Sequence, residues 1–352
     1  MKVRRKRLNM EEREAGMIYP PESLRAFAER HYESLRERNY SEETVMARRG
    51  YLRKFFAWCD ERGVTDLSHA SSGLIERYQK YLYHYRKEKT GEPISFCHQA
   101  VQLSHLREFF KWCARKGFLA YNPAAEIDLP RAEHRLPKYI LTAEEVEQIL
   151  SCIDVSTPAG VRERAIIETL YSTGMRRMEL AGLRLYDIDV DRGTVMVRQG
   201  KGKKDRIIPI GERAVKWLGK FITEERARYI KGADPGTIFL NAHGGEFNVD
   251  QVSVIVKDCI ERSGVKKKGA CHLFRHTMAT LLLENGADVR FVQAMLGHST
   301  LKTTEIYTHV AIKKLKEIHT AFHPAGKPLP PGTDEAPTPT VTAALPEGST
   351  EE

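Results

Sequence analysis

No apolar stretch in this chain approaches the roughly 18 residues that a helix needs to span a bilayer. The basic start, Lys2 to Arg7, runs into the polar segment Asn9 to Glu14 and not into an apolar leader core, so neither a secretory signal nor a membrane anchor is expected. Cysteine offers no scaffold either. Cys59, Cys97, Cys113, Cys152, Cys259 and Cys271 are scattered, lack any Cys-x-x-Cys spacing and fall mostly in apolar helical stretches. That pattern predicts buried, reduced thiols in a cytoplasmic protein and argues against a disulfide framework. An excess of acid is also missing: 56 Lys and Arg face 47 Asp and Glu, giving a net charge of +9. The balance favours a polyanionic partner over an acidic substrate.

A length of 352 residues, 41% of them hydrophobic, is enough for two domains with separate cores. From Glu22 to about Gly117 the apolar residues recur at helical spacing, and four helices are expected near 22–37, 41–62, 72–88 and 94–116. Ser41 and Ser71 read as N-caps, Gly63 and Gly117 as stops. Within this region Leu52-Arg-Lys-Phe-Phe-Ala-Trp-Cys-Asp-Glu-Arg-Gly63 parallels Leu106-Arg-Glu-Phe-Phe-Lys-Trp-Cys-Ala-Arg-Lys-Gly117. Two amphipathic helices sharing one aromatic core explain the likeness more simply than a repeat architecture does. The organisation expected is a basic extension over 1–20, a helical domain over 21–125, a proline-bearing linker over 126–140, a second domain over 141–323 and a disordered tail over 324–352.

The second domain opens with a capping box, Thr142-Ala-Glu-Glu145, and mixes helices near 142–152, 160–172 and 176–183 with strands 187–190, 194–198 and 206–210. Further helices are expected near 211–230, 248–263, 272–285, 288–296 and 303–322. The fold class is therefore mainly α with a small antiparallel sheet.

Cations and imidazoles gather in this second half in a fixed order: Arg176, Lys201, His272, Arg275 and His298, followed by Tyr307. Direct attack on a phosphodiester needs a nucleophile, cations for the non-bridging oxygens and a proton donor for the leaving oxygen, and this series offers all three. The planar fork of arginine donates two hydrogen bonds to a phosphate while staying protonated, so Arg176 and Arg275 are the candidate clamps. His272, Arg275 and His276 share one helix face by their spacing. A zinc site at the two histidines is a competing reading, but it lacks the Glu of the metalloprotease pattern and sets a guanidinium beside the cation. Each residue also has an ordinary reading: Tyr307 as a core tyrosine, Lys201 as a solvated lysine of a basic turn. A tyrosine becomes reactive only beside cations or a base, which His298 offers nine residues upstream.

The stretches Arg162 to Leu180, Gly200-Lys201-Gly, His272-Leu-Phe-Arg275-His and Leu296-Gly-His298 to Tyr307-Thr-His-Val310 resemble the tyrosine recombinase (phage integrase) family, particularly its Xer-like branch. The resemblance spans about Pro21 to Phe322. It implies a SAM-like core-binding domain and a catalytic domain closing as a C-shaped clamp on duplex DNA, with no cofactor and no metal. By the same resemblance Tyr307 forms a 3′-phosphotyrosyl link, Arg176, Arg275 and His298 hold the phosphate, Lys201 protonates the leaving oxygen and His272 assists proton transfer. Glu179 supports Arg176 or caps its helix.

Backbone contacts are expected from Arg48, Arg49, Arg177, Lys203, Lys204, Lys266, Lys267 and Lys268. The assembly implied is a homotetramer, or a heterotetramer with a paralogue, on two DNA sites, with no membrane role and a nucleoid-associated place in the cytoplasm. The stripe Ile312, Leu315, Ile318 and Phe322 is expected to dock in cis or on a neighbouring protomer. A type IB topoisomerase is a second reading, disfavoured because Thr303-Thr304-Glu-Ile-Tyr307 departs from its Ser-Lys-x-x-Tyr context. A non-catalytic DNA-binding accessory factor is a third. The lack of a long DNA-binding arm before Pro21 suggests a recombinase that uses core sites only.

Overall fold

A computed structural model describes residues 18–131, 139–198 and 205–297, which gather into two compact units divided between His134 and Arg135. Among the described residues, four α-helices build the first unit: α1 (Leu24–Glu37), α2 (Glu42–Asp60), α3 (Ser72–His84) and α4 (Phe96–Arg115). Each begins at a serine, Ser23, Ser41, Ser71 or Ser95, whose side chain accepts a backbone N–H of the first turn. Several boundaries differ from expectation: α1 starts at Leu24 and α2 stops at Asp60, each two residues inside the expected bound. α3 stops at His84 because the chain turns back through a bridge between Arg86 and Pro93, around Gly91 at φ 66°. α4 starts at Phe96, where Ser95 supplies the cap.

The paired segments of α2 and α4 match in burial position by position. Leu52, Phe55, Phe56, Trp58 and Cys59 are buried in one, and Leu106, Phe109, Phe110, Trp112 and Cys113 in the other. Both helices end alike, with Gly63 and Gly117 at φ 69° and 76°, and with Val64 and Phe118 donating back to Cys59 and Cys113. The rings interlock edge to face: Phe55 with Phe110 at 6.0 Å and Phe56 with Phe109 at 6.0 Å between centroids. One core made from two like helices is thus what the likeness encodes. Burial pushes the Cys59 and Cys113 thiols up to about 12, whereas Cys97 near the start of α4 is exposed, against the expectation that all six are buried.

In the second unit α5 (Ala143–Ser151) opens on the capping box of Thr142 with Glu145. α6 (Pro158–Thr173) is the central helix. Thr157 caps it and Pro158 takes its first position, which sets its start two residues before the expected 160. Val161, Ala165, Ile166, Ile167 and Leu170 along it are buried, and so is Glu168, held by Arg164 and Arg213 at 3.0 and 2.8 Å.

After the short α7 (Arg177–Ala181), β1 (Ile188–Asp189), β2 (Thr194–Val197) and β3 (Arg206–Pro209) pair antiparallel in that order. Their register sets Val195 opposite Ile208 and Val197 opposite Arg206. β1 is shorter than expected because Asp187 belongs to a 3₁₀ turn, where it accepts the Arg184 N–H and pairs with Arg198.

The expected helix over 211–230 is broken. α8 (Glu212–Lys220) passes into a π turn over Phe221–Glu225 and a 3₁₀ turn over Arg226–Tyr229. The wider winding carries Phe221 inward and lets the buried Arg226 reach Asp234 at 2.6 and 2.8 Å and the Thr237 carbonyl at 2.7 Å. α9 (Val249–Arg262), α10 (Cys271–Glu284) and α11 (Val289–Leu296) are the last helices among the described residues. The expected helix over 303–322, its apolar stripe and the tail lie outside the described residues. Among those described, no helix is long and apolar enough to cross a membrane.

Replacing Phe55 or Phe109 by Ala in the paired core should cost about 3 to 5 kcal/mol each, read by urea unfolding. Tolerance at either position would show that the two segments do not share one core.

Candidate active site

α6 ends in a turn that only glycine accommodates. Gly174 lies at φ 59°, and a Cβ there would stand 2.0 Å from Met278 Cε and 3.2 Å from Leu296. The turn delivers Arg176 to the N-cap position of α7 and presents the Gly174 carbonyl to α10. On α10, Arg275 is 4% exposed and donates to that carbonyl at 2.6 Å and to the Leu296 carbonyl at 2.6 Å. Two chain segments distant in sequence are thereby joined through one guanidinium.

Glu179 lies one turn after Arg176 and contacts both its backbone and its side chain. Its carboxylate accepts the Arg176 N–H at 2.7 Å, which caps the helix, and the Arg176 guanidinium at 2.9 Å, which orients it. It also takes a bidentate pair of hydrogen bonds from Arg206 at 2.9 and 2.8 Å. Burial on its own would raise the Glu179 pKa, but the hydrogen bonds and charges of Arg206 and Arg176 outweigh it and hold the group at about 2.

The C-terminus of α11 completes the cluster. A helix end leaves carbonyls unsatisfied and carries partial negative charge. Here Arg206 donates to the Met295 carbonyl at 3.0 Å, Arg275 to Leu296 at 2.6 Å and Arg176 to Gly297 at 3.4 Å. Gly297 lies at φ 62°, and a Cβ on it would meet the Arg206 side chain at 3.1 Å, so both conformation and space demand glycine.

His272 is exposed near the start of α10. Its pKa is lowered by partial desolvation first and then by Arg275, Arg177 and Arg176, which favours the neutral, proton-accepting imidazole. His276, one turn on, is pushed to about 4 by burial, His272 and Arg275. Among the described residues no group of three His, Cys, Asp or Glu side chains is placed to hold a metal ion.

Of the residues singled out in the sequence, Arg176, Glu179 and Arg275 therefore meet in one cluster, and His272 stands on the same helix as Arg275. Lys201, Lys203, Lys204, His298 and Tyr307 lie outside the described residues. Some expected phosphate contacts are already engaged within the fold. Arg49 pairs with Glu29 at 2.7 Å and lies over the Tyr32 ring, while Lys267 donates to Glu145 at 2.6 Å and to the Ile140 carbonyl at 2.5 Å. Arg177 reaches Ser253 at 3.2 Å, and Arg48 lies over the Tyr40 ring. Lys266 and Lys268 are exposed.

Arg206 was not among the candidates. A signal for it existed: it alternates with the 65% exposed Ile207 and shares the inward face of β3 with Ile208, and a charge on an inward face demands a partner.

Folding lowers the Glu179 pKa, so its stabilisation is complete above about pH 4.5 and is lost as pH falls to about 2. Glu179→Gln should therefore lower stability at neutral pH by on the order of 3 kcal/mol, and its deficit against wild type should shrink on acidification below about pH 4.5. Chemical unfolding at a series of pH values checks this, and a deficit independent of pH would refute it.

The Phage integrase family profile matches residues 139–314, and that of the phage integrase N-terminal SAM-like domain matches 28–117. The tyrosine recombinase XerC 2 of Ralstonia nicotianae is 47% identical over 302 residues, covering 86% of each chain. XerD of Pseudomonas aeruginosa is 34% identical over 82% of this chain and 94% of its own. Among solved structures, the post-cleavage complex of the XerH recombinase with its difH substrate shares the fold at a TM-score of 0.64 and 24% identity, over 80% of this chain and 81% of that one. A lambda integrase dimer on a core site does so at 0.60 and 20%, over 81% and 95%. Sequence likeness along more than four fifths of the chain agrees with the clustered arginines, and the chain belongs to the phage integrase family of tyrosine recombinases, in its Xer-like branch.

Proposed function

We propose that this site-specific DNA recombinase breaks and rejoins strands with Tyr307 as nucleophile and Arg176 and Arg275 as phosphate clamps. The observation that supports this most is the anchoring of both guanidiniums on the neighbouring carbonyls of Gly297 and Leu296. From there the chain runs directly into His298 and, ten residues beyond Gly297, to Tyr307. Glu179, with one negative charge, is shared between Arg176 and Arg206, so the cluster suits an anion.

In the forward step the Tyr307 oxygen attacks phosphorus and the bond to the 5′ oxygen breaks. Arg176, Arg275 and His298 hold the non-bridging oxygens as charge develops, Lys201 gives its proton to the leaving 5′ oxygen, and neutral His272 assists in taking the tyrosine proton. The product is a 3′-phosphotyrosine and a free 5′-hydroxyl. The ester energy stays in that bond, and attack by the 5′-hydroxyl of a partner strand releases the enzyme and restores the diester. Retention of the energy is what distinguishes strand exchange from hydrolysis.

The helical first unit supplies non-specific grip from exposed basic residues, with Lys266 and Lys268 contributing from the second. Assembly as a tetramer on two sites, formed by copies of this chain or together with a paralogue, follows from the need to exchange strands between duplexes, and the site of action is the cytoplasm at the nucleoid. The strand-passing topoisomerase reading gains nothing from relatives that carry recombinase names.

The test is a duplex enriched from a random-sequence pool by binding to the wild-type protein. It is nicked near the scissile phosphate so that the short fragment diffuses away, and is incubated in EDTA. Wild type should accumulate a covalent protein–DNA adduct and Tyr307→Phe none. Failure of wild type to form the adduct on DNA that it binds would refute the nucleophile assignment. Binding itself should weaken steeply between about 50 and 200 mM salt, and a flat salt response would contradict phosphate-led recognition.

A further inference from the structure

We propose that Arg206 is a positioning residue for strand cleavage, holding Arg176 in place through Glu179 while it anchors the end of α11. The proposal rests on the reading of Arg176 as a phosphate clamp. The Arg206 side chain is 13% exposed. Each of its three guanidinium nitrogens is committed: Nε to the Met295 carbonyl at 3.0 Å, the two terminal nitrogens to the two Glu179 oxygens at 2.9 and 2.8 Å. Those same oxygens receive the backbone N–H and the guanidinium of Arg176. Arg206 therefore fixes the rotamer of the carboxylate on which Arg176 leans.

Its place in the chain extends the effect. Arg206 begins β3, and in the sequence it stands five residues after Lys201. Through Met295 it also holds the helix end from which Gly297 and His298 follow. One side chain thus ties the Arg176 motif to the end of α11, acting through Glu179 and the Met295 carbonyl. Lysine cannot substitute fully: an ammonium lacks the fork that spans two carboxylate oxygens and a carbonyl at once.

Four full-length proteins decide the matter: wild type, Arg206→Gln, Arg206→Lys and Arg176→Lys. Single-turnover adduct formation is measured on the enriched nicked duplex with an ordinary scissile phosphate and with a methylphosphonate there, which has no non-bridging charge to clamp. DNA affinity and Tm are recorded alongside. Arg206→Gln should slow cleavage of the phosphate by roughly 100-fold and Arg206→Lys by roughly tenfold. DNA affinity should stay within about threefold, because binding depends on many phosphate contacts. The loss should shrink on the methylphosphonate, as it should for Arg176→Lys.

Wild-type rates in both Arg206 variants, with Arg176→Lys slow, would overturn the role of Arg206 and leave the Arg176 clamp intact. Arg206 variants slow while Arg176→Lys cleaves normally would overturn the route through Arg176. Equal losses on both substrates together with a fallen Tm would mark a merely structural residue and also overturn the proposal. Arg206→Lys keeps the charge at β3 and serves if the glutamine variant fails to fold.

Discussion

Four hydrogen bonds from buried or half-buried guanidiniums to backbone carbonyls hold the second unit's chemistry together. Arg275 spans Gly174 and Leu296, Arg206 reaches Met295 and Arg176 reaches Gly297. Bonds to a charged donor are worth about 1.5 to 3 kcal/mol each, more than neutral pairs. Each here closes a loop between segments far apart in sequence, about 100 residues for Arg275 with Gly174. The α11 terminus offers three carbonyls in succession because a helix ends there, and the helix ends there because Gly297 adopts a left-handed turn that other residues resist. A conformational property of one glycine thus governs where three arginines meet.

Glu179 is the complementary constraint. Burying a carboxylate is costly unless it is paired, and here two arginines and a backbone N–H satisfy it. Its low pKa reports that satisfaction and keeps the carboxylate ionised at neutral pH. The arrangement is stiff in the sense that matters for catalysis: displacement of any one partner strands another charge in a place that water reaches poorly.

Much of this was readable from residue order. Helical spacing and serine caps located the first unit, and the Leu52 and Leu106 segments announced their shared core through identical apolar positions. Arg176 and Arg275 were legible because their residue type and sequence order match a demanding chemistry, and Glu179 through the family resemblance. What escaped were features settled by tertiary contacts. The break of the helix after Lys220 depends on where Arg226 finds Asp234, a partner that periodicity does not reveal. Arg206 stood in the expected strand 206–210 with no role of its own until the register opposite Val197 turned it inward. The engagement of Arg49 with Glu29 and of Lys267 with Glu145 was equally invisible, since a basic residue in sequence says nothing about whether a carboxylate already holds it.

That two peptide carbonyls, those of Gly174 and Leu296, aim Arg275 has an electrostatic consequence. A peptide carbonyl is a dipole: it fixes the direction of a guanidinium while leaving its formal charge whole at a distance. A carboxylate in the place of either carbonyl would also fix the direction, but it would cancel part of the charge. Dipolar tethering separates aim from charge. The residue is oriented before any negative group comes near, by bonds that carry no net charge of their own.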